Sequence, residues 1–418
     1  MPQESTFSFL QISELLLDSK LASKVLTLSP AQRQERNEEC LEILIRLCKE
    51  AASRQVDAIL IPGGLWDAAS VTNTTAARLI ELFASIPNIA VVIVPGASDA
   101  YTVDGLHNSG VLAARGLKPW SDNVLPMTNT SFETVLHPTR KDVTFTARAM
   151  ASATDEGGAF STGFPALSRM PIRILLLPAR LANLEENSEM NKVCVPPYKV
   201  DVDQLDAAGF TYTAFSGFHN FHMVRNSVGK LLGAYAGSLI GRTVQEAGAR
   251  NALWGRVIIT GSEVIVTVDP VELDARKVVV TSCSITGIKP EQLQNTVKQV
   301  LAKDGARERD IVLLKLTGMY PHGDPPVVVD AAMREAFYHL ILDDRTRPDY
   351  LGARPDERTT EGKFIQTLLE MKHRAELKGG ALPDTEYGTE LSTKVIEDAL
   401  YYGLQALKER KVAVRNVD

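Results

Sequence analysis

The chain has 418 residues, is 44% hydrophobic and 23% charged, and carries a net charge of −6. That length supports two or three ordinary globular domains. No apolar run approaches the ~20 residues needed to cross a bilayer, and no basic segment followed by an apolar core opens the chain, so neither a membrane span nor a secretory leader is expected. Most nucleic-acid binders gain affinity from Lys and Arg on phosphates, so an acidic chain needs a partner to hold DNA tightly.

In chain order, Thr6 to Ile12 alternates apolar and polar residues, as a strand does. Glu35 to Arg54 places Leu41, Leu44, Ile45, Cys48 and Ala52 on one helical face. Val56 to Ile61 and Ile89 to Val94 are short apolar runs ending in Pro-Gly, the pattern of strands buried on both faces. This βαβ rhythm predicts parallel strands whose carboxyl ends, with Glu14, Gly64 and Ala97, meet on one edge. From Val143 the pattern is mainly β, with strands over 143–149, 172–177, 212–215 and 231–235. An alternating hairpin over 256–268 turns near Gly261 and Ser262. All of these are expected in a second sheet. A strand at 277–286, a Pro-started helix at 290–303 and a strand at 310–317 then read as a small α/β domain. Amphipathic helices at 360–378 and 391–411 follow, joined by a polar linker over 379–386. Cys40, Cys48, Cys194 and Cys283 lack CxxC spacing, which suits a reducing cytoplasm.

Several phrases carry a resemblance. Phe9 to Asp18, Ile61 to Asp67 and Val94 to Asp99 resemble the D-x-H, G-D-x-x-D and G-N-H-D motifs of calcineurin-like metallophosphoesterases, in order and spacing. The framing residues are nearest to the SbcD-type DNA-repair exonucleases. Ile174 to Pro178, Tyr212 to His219, Tyr235 to Arg242, Leu316-Thr317-Gly318 and Asp343 to Asp349 continue the likeness. The resemblance implies a four-layer α/β/β/α sandwich over 1–270, an α/β cap over 271–345 and a helical segment over 346–418. It also implies that the tail helices hold the coiled coil of an SbcC-type ATPase, through Ile396, Leu400, Leu404 and Leu407, and that a homodimer is plausible.

The family's seven metal-ligand positions read here as Glu14, Leu16, Gly64, Ala97, Pro178, Gly217 and His219, with Ser98 in place of the catalytic histidine. Two-metal hydrolysis needs ions about 3.5–4 Å apart, held by carboxylate, amide or imidazole donors. Only Glu14 and His219 can donate. The expectation is therefore a degenerate enzyme without a metal cofactor, serving as a scaffold or regulatory subunit. The alternative is an active phosphoesterase or exonuclease with one divalent ion such as Mn on Glu14, His219 and His222. Asp67 and Asp99 are expected to brace their loops. Ser98 has no readable general base nearby.

Overall fold

The computed structural model describes residues 4–152, 157–161, 163–182, 198–261, 263–273, 276–321, 325–351, 358–383, 390–410 and 412. Contacts divide the chain into two units. The first holds Met1–Val280, Gly305–Leu313 and Glu335–Ile341; the second holds Thr281–Asp304, Leu314–Arg334 and Leu342–Asp418.

The first unit opens with β1 (Glu4–Gln11), α1 (Pro30–Arg54), β2 (Ala58–Ile61), α2 (Asn73–Ala84), β3 (Ala90–Ile93), α3 (Ser109–Ala114) and β4 (Val124–Pro126). It continues with β5 (Glu133–Leu136), β6 (Val143–Ala147), β7 (Ile172–Leu181), β8 (Tyr198–Val200), α4 (Val202–Ala207), β9 (Tyr212–Ser216), β10 (His222–Arg225) and β11 (Leu231–Tyr235). It closes with the hairpin of β12 (Asn251–Thr260) and β13 (Glu263–Glu272). Helix α1 starts five residues earlier than its stripe suggests. Ser29 and Gln32 form a capping box there, and Pro30 fills the first turn, where its missing N–H costs nothing.

Two sheets result. One has the order β13-β12-β1-β2-β3-β4; the other runs β10-β11-β9-β7-β6-β5, with β8 added to β7. The predicted parallel βαβ pairing of β1, β2 and β3 is present. The hairpin departs from expectation, because β12 lies antiparallel to β1 and joins the first sheet rather than the second.

Leu44, Leu47, Leu79 and Phe83 of α1 and α2 pack with Ile59 and Ile61 on one face of the first sheet. Phe7, Phe9, Leu60 and Val92 on its other face meet Phe145, Ile174, Leu176 and Tyr212 of the second sheet. Leu205 and Ala208, in and just after α4, cover the far side with Leu175, Leu177 and Phe215. The layers are helix, sheet, sheet, helix, as expected.

Two polar devices tie the sheets together. Gln11 is fully buried; its amide donates to the Ala234 carbonyl at 2.8 Å and accepts from the Tyr212 hydroxyl at 2.6 Å. At the opposite strand ends Arg140 forks onto Asp142 (2.9 and 2.7 Å) and also donates to Asp57 (2.9 Å) and the Thr6 carbonyl (2.8 Å). Groups so fully paired are held hard.

The chain continues with β14 (Val278–Ser284), α5 (Pro290–Lys303), β15 (Ile311–Thr317), β16 (Met319–Pro321), α6 (Ala331–Glu335), β17 (His339–Asp344) and β18 (Arg347–Asp349), of which α5, β16 and β18 lie wholly, and β14, β15, α6 and β17 partly, in the second unit. Its tail is α7 (Thr360–Leu377), β19 (Ala381–Pro383), β20 (Glu390–Ser392) and α8 (Thr393–Glu409). Where a polar linker was expected, Ala381 to Pro383 pair antiparallel with Glu390 to Ser392 and close the helical hairpin. Residues 384–386 of that linker, Ser262 and Cys194 lie outside the described residues.

The tail stripe also differs from expectation. Ile396, Leu400 and Leu404 are buried, and Leu400 and Leu404 pack with Tyr350, Phe364, Ile365 and Leu368 of their own unit; only Leu407, 47% exposed, faces outward. The stripe is consumed by the α7–α8 contact, because two amphipathic helices joined by a short hairpin cover each other first. Among the described residues no helix is long and apolar enough to cross a membrane.

Candidate functional site

The carboxyl ends of β1, β2 and β3 feed three loops, and the structure brings Glu14 and Gly64 into contact there. Glu14 N–H donates to the Gly63 carbonyl at 3.2 Å, and Leu16 N–H donates to the Gly64 carbonyl at 2.9 Å. Glu14, Leu16 and Asp18 all have positive φ, at 51°, 46° and 62°. This left-handed backbone, costly for residues with a Cβ, folds the segment back onto the Gly63-Gly64 turn.

Asp99 binds that turn from the third loop. Its carboxylate accepts from Gly64 N–H and Leu65 N–H, both at 2.9 Å, and from its own loop's Gly96 N–H at 2.8 Å. The expected bracing role is the one it plays. Among the described residues, the Asp67 carboxylate accepts from Ala69 N–H at 3.0 Å, a local turn contact. His107 lies 3.7 Å from Asp99, with its ring tilted against Trp66 at 4.5 Å between centroids.

The buried Glu14 side chain turns toward the second sheet, where it accepts from Gly217 N–H at 2.7 Å. Gly64 shows why it fits. A Cβ on Gly64 would fall 2.7 Å from Glu14 Oε2 and 2.9 Å from Glu14 Cα. The longer acid therefore fills the space a side chain at position 64 would need.

His219 completes the cluster. Its Nε2 lies 3.5 Å from Glu14 Oε2, and its Nδ1 pairs with Glu246 Oε1. Glu246 also accepts from Arg242 N–H and from Thr243 N–H at 3.1 Å. Burial works to raise the Glu246 carboxyl, but the His219 hydrogen bond and the charges of His219 and Arg242 outweigh it and hold it at about 2. Arg250 donates to the His219 carbonyl at 2.9 Å and to Asn220 Oδ1 at 2.8 Å, fixing the loop. The sequence reading missed Glu246 and Arg250. The Thr243-x-x-Glu246 spacing, a capping pattern, was the available signal.

The remaining positions carry no donor. Ala97 packs on the apolar layer beneath α4. Pro178 continues β7 opposite Ser216, beyond the last β6 partner at Leu176, where its missing N–H breaks no ladder bond to β6. Ser98 Oγ is buried without a hydrogen-bond partner among the described residues, so no general base touches it. His222 does not join Glu14 and His219. Its ring lies against Phe218 and Tyr235, and burial lowers its pKa. Among the described residues no three His, Cys, Asp or Glu side chains are grouped to hold a metal ion.

The donor set thus does not fit a dinuclear centre. Two carboxylates and an imidazole lie against one another, the carboxylates accept from the surrounding backbone, and the other positions are leucine, glycine, alanine and proline.

No family model and no curated protein matches the sequence. Among solved structures, the Thermus thermophilus protein TT1561 matches at 11% identity, covering 63% of this chain and 99% of that one, with a TM-score of 0.33. Vacuolar Protein Sorting 29 from Cryptosporidium parvum matches at 12% identity, over 64% and 99%, with a TM-score of 0.26. A dimetal phosphatase from Danio rerio matches at 11%, over 62% and 98%, with a TM-score of 0.32. The four-layer description stands on the strand order and the cores given above.

Proposed function

We propose that this chain is a metal-free protein of the calcineurin-like metallophosphoesterase kind, nearest to the SbcD-type nucleases. It serves as a scaffold or regulatory subunit beside an SbcC-type coiled-coil ATPase in DNA repair or processing, in the cytoplasm. One observation carries the catalytic half of this reading: the Glu14 carboxylate fills the space in front of Gly64 and is held there by Gly217 N–H. An ion would have to displace an anchored acid and find donors among residues that have none.

The partner half rests on the sequence resemblance and on an apolar groove in the tail. A cavity of about 320 Å³ has Leu400, Tyr401 and Leu404 among its lining residues, together with Met319, Leu351 and Leu369, and bears Arg347, Lys372 and Glu397. A partner helix would meet Met319, Leu351 and Leu369 there, in place of the stripe the sequence suggested. The alternative of an Mn-dependent phosphoesterase on Glu14, His219 and His222 has no comparable observation behind it.

The test is elemental analysis of protein purified without chelator, with mass spectrometry of what co-purifies with the native chain. The expected result is no stoichiometric Mn, Fe or Zn and a large coiled-coil ATPase. Two metals per chain would overturn the catalytic half. Native preparations that never contain such an ATPase would overturn the partner half.

A further inference from the structure

Strand β13 is ten residues long and forms the outer edge of the first sheet; among the described residues nothing pairs with its free side. Its first half reads Glu263-Val264-Ile265-Val266-Thr267, with Val264 49% and Ile265 44% exposed. A long, β-branched edge of this kind is a template for another strand, and folded proteins cover or blunt such edges. We propose that a second copy of this chain covers it, β13 against β13, in an antiparallel pair centred on Ile265.

The register follows from two constraints. Leu273 N–H, one residue past the strand, donates to the Arg250 carbonyl on the β12 side at 2.8 Å. Backbone direction alternates along a strand, so the odd-numbered residues of β13 face β12 and the even-numbered ones face outward. Pro270 agrees with that parity, since a residue without an N–H belongs on the free side. Symmetric pairing must therefore match even residues with even residues.

Charge and proline then select the centre. Centring on Val266 sets Glu263 opposite the second copy's Asp269, two like charges face to face. Centring on Thr267 sets Val264 opposite Pro270, which has no N–H to give. Centring on Ile265 pairs Val264 with Val266 twice, places Glu263 opposite Thr267, and leaves Asp269 and Pro270 outside the match. Thr267 is also the cross-strand partner of Arg256 on β12. Residues directly opposite share a face, so Arg256, Thr267 and the second copy's Glu263 form one row. Arg256 and Glu263 are both exposed. Their long side chains meet across the small threonine, once on each side of the two-fold axis.

The paired segment is short, and its area falls at the low end of specific interfaces, below ~1,200 Å². The dimer is accordingly concentration-dependent rather than obligate.

The proposal is tested on the full chain in a Cys194→Ser background; Cys40, Cys48 and Cys283 are buried. At the centre of the pair the two Ile265 Cα atoms stand ~4.5 Å apart, inside the window for a disulfide. Ile265→Cys with oxidised glutathione should give a covalent dimer at least ~10-fold faster than Thr267→Cys, whose equivalents lie about four residues apart along the pair. In sedimentation velocity, Ile265→Lys should weaken dimerisation at least ~10-fold by opposing two ammonium groups, with an unchanged melting temperature because the residue is exposed. Glu263→Arg should also weaken it, and adding Arg256→Glu should restore it. A chain monomeric at every concentration overturns the proposal. So does a dimer indifferent to Ile265→Lys, or equal crosslinking at positions 265 and 267.

Discussion

Gly64 offers a sharp test of what fills the cleft. Replacing it with alanine adds one carbon, at a backbone angle of φ +72°, between Glu14 Oε2 at 2.7 Å and Glu14 Cα at 2.9 Å. The turn cannot swing clear. Gly64 N–H is held by Asp99 at 2.9 Å, and its carbonyl is held by Leu16 N–H at 2.9 Å. Left-handed backbone costs a residue with a Cβ about 1–2 kcal/mol, and overpacking a rigid site costs a further ~1–3 kcal/mol. The sum is about 2–5 kcal/mol. Gly116 supplies the control: its φ is +73°, and a Cβ there meets nothing within 4 Å. Gly116→Ala should show the backbone cost alone, about 1–2 kcal/mol. Urea unfolding of both variants isolates the contact as their difference. Gly64→Asp should be worse than Gly64→Ala, since its carboxylate arrives beside Glu14, and Mn should rescue neither. A Gly64→Ala loss no greater than that of Gly116→Ala would mean that Glu14 does not occupy this space, and the account of the cleft would fail.

The Arg140 fork, helped by the Ser5 hydroxyl, holds the Asp142 carboxyl well below its usual range against the opposing effect of burial. Its contribution is complete above the unfolded carboxylate value of about 4 and is lost as pH falls below it. Wild type should therefore lose more stability than Asp142→Asn between about pH 5.5 and pH 3, read from urea midpoints; equal losses would refute the clamp. In the tail, Leu404→Glu places a charge at a buried position and should cost at least ~3 kcal/mol. Leu407→Glu, at a half-exposed one, should stay within about 0.5 kcal/mol. If Leu407 contacts a partner, that second variant alone should lose it in a pull-down while keeping its melting temperature.

The first three strands and their helices were legible because each run is local and its period speaks for itself. The β12–β13 hairpin was legible as a hairpin but was placed in the wrong sheet. Alternation reports that Val257 and Ile259 share a buried face, and says nothing of a partner, β1, some 250 residues away. The tail shows the same limit. A stripe of Ile396, Leu400 and Leu404 demands burial without naming the surface, and α7 was nearest. In the cleft, missing donors could be read position by position. Glu14 reaching Gly217, and Glu246 gripping His219, could not, because both contacts join residues that only the finished sandwich brings together.

Gln11 and the Arg140 fork have a mechanical consequence. They clamp the two sheets at separate points along the strands, and neither involves the loop groups at the cleft. Shear between the layers is resisted by these polar bolts. The rim can lose or gain side chains without loosening the slab behind it. In such a body damage at the edge stays at the edge.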